Sequence, residues 1–267
     1  MTAVQNEAMM PFLWVAIALI ILVLLQRWIH THLHGLSLLL TGRPDRAVYL
    51  YAIILFPGVL LHELSHWITA TLLGVRTGSF SVVPQRRPDG SIQLGYVEYY
   101  KSKTLDPIRE SLIGGAPMIV GTIVILLISL HIFDVTNLAA AVQSGQVEAV
   151  SFALSEFFDT PFVLIWVYLI FAISNGMLPS ASDRRAWPAF ILAMTILAGV
   201  VYLLGIQREV ASGLAGPAAT IFGYLGIAFS VAIGTDILVM LVLALLEALV
   251  SRLKGVNVVY GPGDSGD

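Results

Sequence analysis

Long apolar runs separated by short polar punctuation dominate the chain, and they predict membrane-spanning helices. A spanning helix needs roughly 20 consecutive apolar residues, and several stretches approach or exceed that length. The first is Pro11 to Ile29, with Trp14 and Trp28 near its ends as interfacial anchors. A connector, 30–46, contains His30, His32 and His34. The second span is Ala47 to Val75, interrupted by Pro57-Gly58. The third runs from Ile108 to Phe133, the fourth from Pro161 to Leu178 and the fifth from Trp187 to Ile206. Pro217 to Leu253 is too long for one straight crossing and reads as one tilted or broken span preceded by an interfacial segment.

Two stretches break the pattern. Ser79 to Pro84 and Ile92 to Tyr99 are rich in β-branched and aromatic residues and flank Pro88-Asp89-Gly90, a turn signal. They predict a β-hairpin between spans two and three. Open strands cannot lie in lipid, so the hairpin belongs at the interface or against protein. Residues 134–160 are polar, acidic and part helical. The expected fold is an all-α polytopic membrane protein of about six transmembrane helices with a small interfacial β-hairpin. Its units are an N-terminal anchor span and connector (1–46), a core with the hairpin and three spans (47–187), C-terminal spans (188–254) and a disordered Gly-, Pro- and Asp-rich tail (255–267).

Composition strengthens this picture. Of 267 residues, 57% are hydrophobic and 12% charged, against roughly 25% charged in soluble domains. So much apolar surface needs a lipid bilayer as partner. A net charge of −3 without a basic stripe gives no support for nucleic-acid binding. The chain has no cysteine, which excludes disulfides, thiolate metal sites and thiol nucleophiles. The N-terminus carries no Lys or Arg before the first apolar run, so that run reads as a retained anchor rather than a cleaved signal.

Loop charge predicts sidedness. Arg76, Arg86, Arg87, Lys101, Lys103 and Arg109 lie between spans two and three, and Arg184 and Arg185 follow span four, whereas 134–160 has no basic residue. These favour a cytoplasmic N-terminus, hairpin and C-terminus, with Arg43 and Arg46 as misfits. Spans two and four then run in the same direction.

The candidate chemistry lies in span two, at His62-Glu63-Leu64-Ser65-His66. Imidazoles four residues apart share one helix face and can grip one metal ion. Glu63 projects beside them as a candidate general base for water. Ionisable groups at membrane depth are costly and default to function. A catalytic zinc site needs a third protein ligand, and the candidates are Asp89, Glu98, Asp106, Glu110, Asp183 and Asp236. Topology puts Asp183 at the same depth as the histidines, although beside Arg184 and Arg185 it reads equally as a solvated helix-end cluster. His30, His32 and His34 would share one side of an extended segment, but read better as interfacial than as a second metal site.

Together, the His62–His66 motif in a membrane helix, the hairpin, Gly114-Gly115-Ala116-Pro117 and Asn175 with Pro179 and Asp183 resemble the site-2 protease family of intramembrane zinc metalloproteases. The resemblance covers roughly 47–187. It implies one zinc ion held by His62, His66 and Asp183, and peptide-bond hydrolysis in a transmembrane protein substrate with Glu63 as base. By the same analogy, Asn175 hydrogen-bonds substrate backbone or the developing oxyanion. The Asn175-to-Asp183 separation matches the family pattern. Pro179 stands one residue later than that pattern, Ser182 replaces its Leu and Arg184 its Gly. Two rival readings stay open: a membrane metalloprotease whose third ligand is a glutamate on a later helix, and a non-proteolytic metal-binding scaffold or transporter.

Overall fold

The computed structural model describes residues 3–86, 92–99 and 107–260. Eight helices and four short strands follow in order: α1 (Ala3–Thr41), α2 (Pro44–Leu72), β1 (Thr77–Ser81), β2 (Gln85–Arg86), β3 (Ile92–Gln93), β4 (Tyr96–Tyr99), α3 (Pro107–His131), α4 (Val135–Ser144), α5 (Val147–Asp159), α6 (Val163–Met177), α7 (Trp187–Leu203) and α8 (Gln207–Lys254). Among the described residues, four helices (α1, α2, α3 and α8) are long and apolar enough to cross a membrane. The pair α5–α6, bent by 88°, makes a fifth if counted as one span. The strands form the expected hairpin, with β1 antiparallel to β4 and β2 antiparallel to β3. Its predicted turn at 88–90 lies outside the described residues.

Two elements correct the sequence reading. The expected connector at 30–46 is helical to Thr41, because nothing before Gly42 breaks the helix; Gly42 takes φ 66°, and Pro44 starts α2. The three histidines therefore do not share a side. His30 and His34 face Tyr51 on α2, while His32 contacts Glu247 on α8. Likewise α8 is one unbroken 48-residue helix through Pro217, about 72 Å long and more than twice the bilayer's apolar thickness of about 30 Å.

Helix directions follow from contact offsets. Tyr168 Oη donates to the Ile54 carbonyl, and His62 Nδ1 donates to the Gly176 carbonyl, each pair 114 residues apart. A constant offset means that α2 and α6 run parallel, as loop charge predicted. Trp14 meets Ser230, His32 meets Glu247, and Lys254 Nζ donates to the carbonyls of Leu39 and Leu40, at offsets of 214 to 216. Hence α1 and α8 are also parallel. The end of α8 consequently lies beside Arg43 at the α1–α2 turn and opposite the hairpin, not on the hairpin's side as expected. The tail shows an irregular stretch up to Tyr260, whose Oη donates to Glu247; 261–267 lie outside the described residues.

One core gathers Leu22, Ile125, Ile170, Met177 and Phe229 between α1, α3, α6 and α8. A second, around Ile29, Leu55, Phe171 and Leu243, joins α1, α2, α6 and α8. Large apolar side chains cover the outside: Leu72, Leu164 and Leu203 are at least 80% exposed. This is the surface of a protein whose solvent is lipid.

Candidate metal centre

Close backbone approach brings the site together. A Cβ added at Gly58 would lie 1.8 Å from the Ala172 carbonyl oxygen, and one added at Gly176 would lie 2.7 Å from the backbone of Gly58. Only glycine lets α2 and α6 pack this closely. At Gly114 an added Cβ would lie 2.1 Å from the Asp183 carbonyl oxygen, so the same device seats the 178–186 loop on α3.

Helix breaks then supply anchors for both histidines. The last four carbonyls of a helix have no intrahelical donor, and where they are buried they need another partner. Helix α6 ends at Met177, just before Pro179. Three of its orphan carbonyls take side-chain donors: Ser174 from Gln26 Nε2 at 2.5 Å, Asn175 from His30 Nε2 at 3.2 Å and Gly176 from His62 Nδ1 at 2.7 Å. Inside α3, Pro117 has no N–H, which frees the carbonyl four residues earlier. That carbonyl belongs to Ile113 and accepts from His66 Nδ1 at 2.8 Å.

A carbonyl can only accept, so each Nδ1 carries the proton and each Nε2 presents a lone pair. The two Nε2 atoms lie 3.0 Å apart. Asp183 completes the triangle, with Oδ1 3.3 Å from His66 Nε2 and Oδ2 3.5 Å from His62 Nε2. The three acceptors repel one another unless positive charge sits among them. A protonated imidazole would satisfy one contact with Asp183, whereas a divalent cation satisfies all three groups at once. Tetrahedral zinc with bonds of about 2.0–2.1 Å puts its ligand atoms about 3.3 Å apart, which matches the observed spacings. Among the described residues this is the one cluster whose ligand atoms converge this way.

Asp183 is fixed locally: its Oδ2 accepts from the Ser180 backbone N–H at 2.7 Å. Burial opposes its ionised form, but with no cation among the three groups a proton on His62 or His66, together with the Ser180 N–H, outweighs burial and holds its carboxyl well below the usual carboxylate range.

Glu63 is 8% exposed and not one of the converging ligands. It borders a cavity of about 660 Å³ that the histidines, Asp183, Asn175 and Tyr96 also line. Gly95, just before β4, closes over it, since an added Cβ would lie 2.8 Å from Glu63 Cγ.

Asn175 has its donor committed. Its Nδ2 gives to the Phe171 carbonyl at 3.0 Å and to Asp236 Oδ1 at 2.9 Å. Flipping the amide would set its oxygen against these two acceptors, so the oxyanion-donor role expected for Asn175 does not fit the geometry. The unpartnered half is its carbonyl oxygen, which suits a substrate backbone N–H.

None of the other described candidates joins the cluster. Glu98 accepts from Ser79 within the hairpin, Asp236 binds Ser174 and Asn175, and Asp89 and Asp106 fall outside the described residues. Glu247, a glutamate on the last helix, pairs with His32 rather than with the site histidines. Sequence reading missed Gln26 and His30 as donors to the end of α6; their four-residue spacing with His34 was the available signal. No family model, curated protein or solved structure matches the chain.

Proposed function

We propose that the chain is an integral membrane zinc metalloprotease of the site-2 protease type, hydrolysing peptide bonds of membrane-spanning substrates. The observation that carries the reading is the convergence of His62, His66 and Asp183, with Glu63 beside them, in a half-open cavity lined by α2, α6, the hairpin and the loop after α6. Two imidazoles and a carboxylate suit zinc, and three protein ligands leave a fourth position open. Bound zinc would supply Lewis-acid polarisation of a water and a carbonyl. Glu63 accepts a proton from the attacking water and delivers it to the leaving amine, so one peptide bond and one water give a carboxylate and an amine. Gly176 and Ile113 hold the imidazoles in the binding tautomer. Asn175 offers its carbonyl oxygen to an unwound substrate backbone, and β4, which runs beside Glu63, provides an extended edge along the cavity.

The helix directions favour five crossings (α1, α2, α3, α6 and α8) over the expected six. Since α6 and α8 run in opposite directions, α7 makes no net crossing. The sequence carries eight basic residues in and beside the α2–α3 and α6–α7 connections (76, 86, 87, 101, 103, 109, 184 and 185) against four at the α1–α2 turn and the end of α8 (43, 46, 252 and 254), which favours a cytoplasmic site.

The test is Glu63→Gln in purified protein, assayed on a single-span model substrate. Cleavage is expected to fall by about a thousandfold or more with zinc retained. Undiminished cleavage by Glu63→Gln would refute the reading.

A further inference from the structure

Among the described residues, the proposed chemistry leaves one buried carboxylate unused. Asp236, on α8, is fully buried inside the helix bundle. Its Oδ1 accepts from Ser174 Oγ at 2.9 Å and from Asn175 Nδ2 at 2.9 Å, and its Oδ2 has no partner. A carboxylate at this depth is costly to bury, and half-satisfied polar groups are poor structural glue. An apolar residue would pack α8 against α6 at lower cost, so a purely architectural role explains neither its presence nor its direction.

We propose that Asp236 is a positioning residue for the active site: it turns the Asn175 carboxamide so that the oxygen, rather than the NH2 group, is left for substrate. Asn175 lines the cavity, and Oδ1 is the part of its side chain without a partner. Of the acceptors on Nδ2, Phe171 O and Ser174 Oγ belong to Asn175's own helix, and Ser174 Oγ at 3.3 Å could equally donate to a flipped amide oxygen. Asp236 Oδ1 comes from another helix and, with the Phe171 carbonyl, accepts from Nδ2, so it favours the amide with its NH2 group turned toward α8. Gln26 and His30 hold the Ser174 and Asn175 carbonyls from α1, which leaves the side-chain amide as the adjustable element and Asp236 as its lock. The ligand implied is the backbone N–H of an extended peptide. This rests on the proteolytic reading.

The test compares Asp236→Leu, Asp236→Asn and Asn175→Ala, with and without Asp236→Leu, on a fluorogenic peptide carrying one transmembrane segment. Asp236→Leu is expected to raise KM about tenfold to a hundredfold, leaving kcat within about threefold, zinc content unchanged and thermal stability equal or higher. Asp236→Asn keeps an acceptor for Asn175 and should restore KM to within about threefold of wild type. Asp236→Leu should add nothing in the Asn175→Ala background. An unchanged KM in Asp236→Leu, an equal defect in Asp236→Asn, or additive defects would overturn the proposal. If zinc-loaded wild type cleaves nothing, the proteolytic reading fails instead. Peptide affinity measured in the Glu63→Gln background then decides the role of Asp236 by the same comparisons.

Discussion

Adjacent glycines on α3 give a steric test of how the third ligand is held. Replacing Gly114 with Ala puts a methyl group 2.1 Å from the Asp183 carbonyl oxygen and 2.9 Å from its carbonyl carbon. Ordinary contact is about 3.5 Å, so one of the two backbones must move by about 1.4 Å. Metal–ligand distances tolerate about 0.2 Å. Asp183 is tied to Ser180 within its own short turn, so its carboxylate moves with its backbone and leaves the imidazole pair. The expected result is a fall in zinc affinity of about a hundredfold or more, or at least about 2.7 kcal/mol. Gly115→Ala is the internal control, because nothing lies within 4 Å of its added Cβ. Both changes raise helix propensity by up to about 1 kcal/mol, so propensity cannot explain a difference between them. The assay is zinc retention against a graded chelator in detergent-purified protein, with thermal unfolding measured in parallel. Gly115→Ala should bind zinc like wild type and unfold at the same or a higher temperature. Equal zinc retention by Gly114→Ala and Gly115→Ala would refute the claim that Gly114 seats Asp183.

Other outcomes follow from the same packing. Gly58→Ala drives a methyl group into the Ala172 carbonyl at 1.8 Å and should cost about 1–3 kcal/mol, visible as a lower Tm; an unchanged Tm would show that α2 and α6 are not so close. Pro117→Ala restores an N–H to compete with His66 for the Ile113 carbonyl. Zinc affinity should fall about tenfold in a helix that is otherwise better formed, and chelator competition reads the change. Unaltered affinity would contradict the anchoring role of that carbonyl.

Much of this was legible in sequence because it rests on local spacing. The four-residue step from His62 to His66 fixes a shared helix face whatever surrounds it, and Gly- and Pro-bounded β-branched runs located the hairpin. The direction of span four relative to span two followed from loop charge and hydropathy, and that put Asp183 at the histidines' end of the bundle. What escaped were properties of partners distant in the chain. Residues 30–41 look like a polar connector because His30 and His32 satisfy groups on other helices rather than water. Asp236 stood out as a lone carboxylate in an apolar run, but its link to Asn175 exists only once α8 packs on α6. The length of α8 was obscured by Pro217 and its glycines, which usually break helices. The direction of Asn175's amide depends on two acceptors that no spacing rule supplies.

The central claim is that His62, His66 and Asp183 hold one metal ion between them, and metal analysis tests it most directly. Purified wild type should carry roughly one zinc per chain, and Asp183→Ala, still folded by its unfolding transition, should lose most of it along with cleavage of a single-span substrate. Wild type without zinc after metal loading, or Asp183→Ala retaining zinc and cleaving as wild type does, would contradict the account.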